Sequence, residues 1–283
     1  MSAFDVQVDY FSTPSANNVD EFLYGDPLPA LTHVEWKSWD VCIYDCIVKS
    51  KELMAKVDDT ESPLVWLLPA LSYQDELKQL LQSSLKQLYP QQTTHLLFYG
   101  SSSAHALIDL AKKNEWEKVT VIAIDATYKA NAQTQYGYQG VGGLLATLQA
   151  KSYGWSQTSF ELAPSIDFEK HNQLDGMFLR LVEQTKKPVD IIFAPGNGIN
   201  HSSDVWLNSL QLLSPLINEH THYELPNYKL GNIGALEGLV NLYQLTTSPA
   251  IVNHCEHALM ISQEQLKHQS ASEYLWISEE VHN

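Results

Sequence analysis

Positive charge is scarce in this chain: 17 Lys and Arg stand against 33 Asp and Glu, for a formal net charge of -16. That balance opposes phosphate backbones and anionic membrane surfaces, so neither nucleic acid nor a lipid surface is an expected partner. Cysteine is scarce too. Cys42, Cys46 and Cys255 are too few and too oddly numbered for a disulfide framework. The opening MSAFDVQVDY has neither a basic start nor a long apolar stretch, and the most apolar run, Leu64 to Leu68 between Pro63 and Pro69, falls far short of the roughly 20 residues a membrane helix needs. The expectation is a cytoplasmic protein.

The chain is rich in apolar and aromatic residues. With 44% hydrophobic residues, seven Trp and fourteen Tyr in 283 residues, it can bury a large core and does not have the composition of a disordered chain. No low-complexity segment or long linker divides it.

Periodicity places the elements. Phe4, Val6, Val8 and Tyr10 alternate with polar neighbours, which predicts a half-buried strand ahead of the turn-rich Ser12 to Asn18. Val41 to Val48 and Leu64 to Leu68 read as further strands. Leu77, Leu80, Leu81, Leu85 and Leu88 follow the three-and-four spacing of a helix over Tyr73 to Tyr89, with Ser72 as its cap and Pro90 as its stop. A strand over Thr94 to Tyr99, a turn at Gly100, a helix over Ser101 to Lys113 and a strand over Val119 to Ile124 then make one α/β unit. Gly137, Gly140, Gly142 and Gly143 lead into Leu144 to Ala150. A phosphate cradle would need a helix directly after those glycines, and this segment suits a strand. The second half repeats the pattern: a strand near Thr158 to Leu162, a helix carrying Leu174, Met177, Phe178 and Leu181, and a strand over Val189 to Ala194. A helix over Ile233 to Leu245 and strands near Ile251 and over Tyr274 to Ile277 follow.

Three motifs then stand in order. The run GSSSAHAL, from Gly100 to Leu107, resembles the CSSSLHAL signature of β-ketoacyl synthases, the thiolase-fold condensing enzymes. Ala194-Pro195-Gly196-Asn197-Gly198 stands where that family has A-H-G-T-G, with Asp204 near the family's following Asp. Leu230-Gly231-Asn232-Ile233-Gly234-Ala235-Leu236-Glu237-Gly238 is similar to I-G-H-T-x-A-A-A-G. The resemblance implies a shortened thiolase-like α/β fold of two related halves, residues 1–155 and 156–283, forming one layered α/β/α/β/α unit.

It also implies what is missing. Gly100 replaces the thioester-forming Cys, Pro195 the first His and Asn232 the second, while the family's Lys aligns with Asn227 unless Lys229 serves. The G-F-G-G-T-N loop has no counterpart, since Val252 to Trp276 holds no glycine. Without a nucleophile and without proton-handling partners, condensation has no chemical route. The chain looks like a chain-length factor, the inactive partner of an active β-ketoacyl synthase in type II polyketide, aryl-polyene or fatty-acid-like synthesis, with no cofactor. Such relatives pair through the strand before the nucleophile turn, here Thr94, His95, Leu96, Leu97, Phe98 and Tyr99. An acyl carrier protein would be met through the partner, because Lys112, Lys113, Lys186 and Lys187 are only scattered basic candidates on an acidic chain.

Two other readings compete. Ser102, on a strand-to-helix turn, has the place of a serine-hydrolase or acyltransferase nucleophile, with His201, His254 or His257 as its base. His254, Cys255 and His257 form a short metal-like cluster that has no second ligand pair at zinc spacing.

Overall fold

The computed structural model describes residues 2–25, 38–71, 74–92, 95–127, 140–164, 172–195, 200–226, 233–264 and 268–279. Among them are ten strands: β1 Ala3–Ser12, β2 Leu64–Leu67, β3 His95–Leu97, β4 Lys118–Thr127 and β5 Gly140–Lys151, then β6 Gly154–Pro164, β7 Ile191–Phe193, β8 His222–Glu224, β9 His257–Glu264 and β10 His268–Ile277. They join in the order β3-β2-β4-β5-β1-β6-β10-β9-β7-β8. Read outward from the β1–β6 seam, the two arms are the same: an antiparallel neighbour, a second antiparallel step, then two parallel strands. The second five strands repeat the first five across that seam.

Side-chain alternation builds the layers. In β4, Val119, Val121 and Ala123 face one core, while Ile122 and Ile124 face another. In β9, Ala258 and Met260 face that first core, while Leu259 and Ile261 face a third. Strands apolar on both faces need cover on both. Helices α2 (Trp39–Met54) and α3 (Asp75–Leu88) cover the outer face of the first half, and α5 (Gln173–Gln184) with α6 (Asn200–Leu210) cover that of the second. A short α1 (Val19–Tyr24) adds Val19, Phe22 and Leu23 to the central core. Between the halves lie α4 (Ser103–Lys113) and α7 (Glu237–Thr247), whose Leu107, Ile108, Leu239 and Leu242 are buried in the shared core. Burial of each such side chain contributes roughly 1.5–3 kcal/mol. The layered α/β/α/β/α architecture expected from the sequence is the one that forms.

Several expectations need correction. Val41 to Val48 lies inside helix α2, because Cys42, Ile43, Cys46, Ser50 and Leu53 are buried at helical spacing, and the last two lie beyond the segment read as β. Ile251 sits in a helical turn, α8 (Pro249–Val252), opened by Pro249 at a position where a missing N–H costs nothing. The neighbouring strand is β9 instead. Gly140, Gly142 and Gly143 belong to β5 itself, paired to β4 and β1 and not arranged as a cradle. Thr94, Ser72, Tyr73 and Gly137 lie outside the described residues.

Candidate functional site

The two motif-bearing turns meet in the middle layer. At the first, the Gly100 N–H donates to the Leu68 carbonyl (3.2 Å), Leu68 N–H to Leu97 (2.8 Å), and Tyr99 N–H to the Ser103 hydroxyl (3.1 Å). These bonds turn the chain from β3 into a 3₁₀ turn, Gly100–Ser102, that runs directly into α4. Gly100 has φ +54°, a left-handed conformation that residues with a Cβ adopt only at a cost. The left-handed bend expected at this motif is therefore present, with glycine at its first position.

What fills the bend comes from the other half. Glu264, the last residue of β9, accepts a hydrogen bond from the Ser101 N–H at 2.8 Å, and its side chain takes the space where a residue-100 side chain would begin. A Cβ on Gly100 would lie 2.4 Å from Glu264 Oε1 and 2.8 Å from its Cδ. The carboxylate thus caps the N-terminal end of α4, where the helix dipole and a free N–H favour negative charge.

The second turn repeats the device. Gly234 has φ +55° and opens the 3₁₀ turn Gly234–Leu236 ahead of α7. There the Ala235 N–H donates to Asp125 Oδ2 at 2.8 Å, and a Cβ on Gly234 would fall 2.0 Å from that oxygen. Asp125 lies on β4 and Glu264 on β9, strands that hold the same place in the two arms. Each half caps the other's turn. The two helices also touch here, since a Cβ on Gly238 would meet the Ser101 carbonyl oxygen at 2.6 Å and Ala104 Cβ at 2.7 Å.

The residues singled out from the sequence can now be placed. The Gly100 turn packs against the turn that starts at Ile233, while Asn232, Asn227, Lys229, Gly196, Asn197 and Gly198 lie outside the described residues. Pro195 is buried just past β7, the strand paired to β9 on the side away from β10. Of the strand expected over Thr94 to Tyr99, among the described residues His95, Leu96 and Leu97 pair with β2, and they form one edge of the sheet. Phe98 and Tyr99 leave the ladder to enter the turn. Phe98 is buried under α2 and α3 with Lys78 Nζ 5.3 Å from its ring centre, and Tyr99 meets His268 edge-on at 5.5 Å.

Ser102 is not poised as a nucleophile. It is fully buried, with its Oγ 2.8 Å from Ser270 Oγ in the helix–sheet interface. His257 lies at the opposite end of β9 from Glu264, about 23 Å away at ~3.3 Å per residue, and it is 2.9 Å from the Pro188 carbonyl and 3.1 Å from Glu273. His254 is exposed, and nothing is described of the His201 side chain. Cys255 is buried beside them, and among the described residues no group of three His, Cys, Asp or Glu is arranged to hold a metal ion. Lys112 is half-buried, its ammonium held by Gln157 O and Ser156 Oγ, and Lys113 pairs with Asp109, so the two do not form a free basic patch.

Behind the turn, α4 is bonded to the sheet by a buried polar array. His105 Nδ1 and the Tyr274 hydroxyl are 2.6 Å apart, and Gln157 Nε2 donates to His105 O (3.0 Å) and Ser272 Oγ (2.8 Å). Burial lowers the His105 pKa to about 4 and pushes that of Tyr274 up, so both are neutral near pH 7. This array holds the helix and faces away from the turn.

Glu264 and Asp125 were not singled out from the sequence. The available signal was an acidic residue at or near the carboxyl end of a strand, where open α/β sheets place their sites.

The strand order and the helix pair between two half-sheets make a thiolase-like α/β fold. No protein-family profile matches the sequence, and no curated protein matches it. Solved structures do. Ketosynthase twelve of the bacillaene polyketide synthase from Bacillus amyloliquefaciens aligns at TM-score 0.61 and 10% identity, covering 98% of this chain and 74% of that one. The ishigamide ketosynthase/chain length factor aligns at 0.58 and 12%, covering 98% of this chain and all of that one. A type II polyketide acyl-carrier protein in complex with its ketosynthase gives 0.56 and 14%, with 98% and 100% covered. The chain has the fold of these enzymes.

Proposed function

We propose that this protein is a non-catalytic ketosynthase-like subunit, of the chain-length-factor type, that pairs with an active β-ketoacyl synthase in polyketide, aryl-polyene or fatty-acid-like synthesis. One observation carries the reading: in a condensing-enzyme strand order, the left-handed turn that heads the inner helix bears Gly100, which can form no thioester. Residues 1–155 and 156–283 are its two related halves, folded as one unit in the cytoplasm. The edge strand His95–Leu97 with its approach from Thr94 supplies the pairing surface, since a half-buried apolar edge needs cover. Carrier protein is met through the partner, because a net charge of -16 repels an acidic carrier. Among the described residues no helix is long and apolar enough to cross a membrane.

Co-expression with an active β-ketoacyl synthase tests the pairing: a stable one-to-one complex is expected. Intact-mass analysis after incubation with acyl-carrier substrates should leave this chain unmodified. An acyl adduct on it would contradict the proposal.

A further inference from the structure

We propose that the cavity beside the C-terminal end of α4 is a binding site for a small aryl carboxylic acid, its ring among apolar side chains and its carboxylate on Lys112. The site lies at the other end of α4 from the Gly100 turn, roughly 16 Å away along eleven residues of helix, and does not depend on the role assigned to that turn.

The cavity has a volume of about 260 Å³ and is enclosed by α4, the starts of β1 and β4 and the end of β5. Protein interiors hold few voids larger than a water molecule, so a space of this size needs a cause. Three alanines supply it: Ala3, Ala111 and Ala150 come from three different elements and stop at the β-carbon. Phe4, Ile108, Trp116, Val119 and Leu148 make the rest of the wall mainly apolar. Such a wall gives water few partners, and an apolar cavity of about 150 Å³ takes up benzene. In proportion, this one suits about ten non-hydrogen atoms, the size of phenylacetate. Phe4 and Trp116 favour an aromatic occupant, which they can meet edge-on or offset.

Trp116 is set in place by the way α4 ends. The Glu115 N–H donates to Lys112 O (3.2 Å) and the Trp116 N–H to Ala111 O (3.0 Å), with Glu115 at φ +53°. This is the left-handed helix exit that usually takes glycine. Here a glutamate holds it, and the indole is brought to the cavity wall and edge-on to His95 at 4.9 Å.

Lys112 lines the same cavity and decides the charge of the occupant. Its ammonium bonds to Gln157 O and to Ser156 Oγ (3.3 Å), and the Ser156 hydroxyl donates onward to Ser2 O (3.1 Å), on the cavity wall. Two acceptors leave one of three N–H donors free. Among the described residues no carboxylate pairs with this ammonium, and Asp109, one turn back, is taken by Lys113. Burial lowers the Lys112 pKa against the pull of Asp109, as expected for a cation without a counter-ion. A ligand carboxylate supplies that counter-ion. Glu115 and Glu117, the acidic members of the wall, are exposed to solvent that screens them.

The test is a titration of the full ¹⁵N-labelled chain with phenylacetate, 2-phenylethanol, phenethylamine and octanoate at constant ionic strength. The readout is the Trp116 indole N–H resonance, identified by its absence in Trp116→Phe. Phenylacetate should shift it saturably with a Kd of about millimolar or tighter. The alcohol should bind about tenfold more weakly, and the amine should not bind. Octanoate, of the same size but without a ring, should also bind more weakly than phenylacetate. Ala150→Phe, which places a ring in the space, should abolish the shift. Lys112→Met keeps the stem without the charge and should bring acid and alcohol to within about threefold of each other. A wild type that ignores phenylacetate overturns the proposal, as does an amine or octanoate that binds as tightly, or an Ala150→Phe protein that still responds. If Lys112→Met does not fold, the acid and amine compared on the wild type decide the charge.

Discussion

Gly100→Ala should be among the most damaging single-methyl changes in this protein, and the cost can be built from the geometry. The left-handed backbone at φ +54° costs a residue with a Cβ about 1–2 kcal/mol. The new methyl would lie 2.4 Å from Glu264 Oε1, 2.8 Å from Cδ and 3.0 Å from Ala70 Cβ, so the carboxylate must leave the turn. Its departure gives up a charge-assisted hydrogen bond to Ser101, about 1.5–3 kcal/mol. The total is about 2.5–5 kcal/mol, a large share of a typical stability of about 5–15 kcal/mol. In a Glu264→Ala background the collision is gone and only the backbone cost remains, so the double-mutant cycle should show a coupling of about 1.5–3 kcal/mol. Urea unfolding followed by circular dichroism and tryptophan fluorescence measures all four proteins. A cost below about 1 kcal/mol, or the same cost in both backgrounds, would refute the placement of Glu264 in the turn.

Three further outcomes are expected. Gly238→Val should drive α7 off α4, since even a Cβ there meets the Ser101 carbonyl oxygen at 2.6 Å and Ala104 Cβ at 2.7 Å; a Tm lower by roughly 3–10 °C is expected in a thermal scan. The control, Gly176→Ala on α5, meets only the flexible end of Arg180 and should leave Tm unchanged or slightly higher. Stability should fall in two steps on acidification. His105, with a folded pKa near 4 against an ordinary 6.5, binds fewer protons folded than unfolded between those values. Stability is therefore lost as pH falls from 6.5 to about 4, by up to about 3 kcal/mol, and His105→Gln should abolish this step. Burial tends to raise the Glu273 pKa, but hydrogen bonds from His257, Thr158 and Thr185 outweigh it and hold the value at about 2 against an ordinary 4.5. Its contribution is present above 4.5 and disappears as pH drops toward 2 in denaturation curves, in the wild type and in His105→Gln alike. Finally, a fluorophosphonate probe should leave Ser102 unlabelled, because its hydroxyl is buried against Ser270; labelling would revive the hydrolase reading.

Elements with a clear apolar pattern were legible along the chain. The helix with Leu77, Leu81 and Leu85 and the continuous apolar strand from Val119 to Ile124 stand where the sequence puts them, each within a few residues. Helix α2 was misread because it is apolar on more than one side: Val41, Tyr44 and Val48 stay exposed while Cys42, Ile43 and Cys46 are buried. With apolar residues around the cylinder, a short window looks like a strand, and only the burial of Ser50 and Leu53 further on shows the helical repeat. The edge strand expected to run to Tyr99 stops at Leu97 because Ser103 hydrogen-bonds back to Tyr99 and Leu97, drawing the chain into its turn.

The sequence by itself determined the kind of fold, the order of its turns and the presence of glycine at residue 100. These depend on local periodicity, on glycine's access to φ near +54° and on the identity of single residues, all of which are written along the chain. Only the tertiary structure decided what fills the space beside Gly100. Glu264 reaches Ser101 across 163 residues, and Asp125 reaches Ala235 across 110, because β9 and β4 hold equivalent positions in two arms that face each other over α4 and α7. A carboxylate at the end of a strand has no partner until that register and that facing are formed.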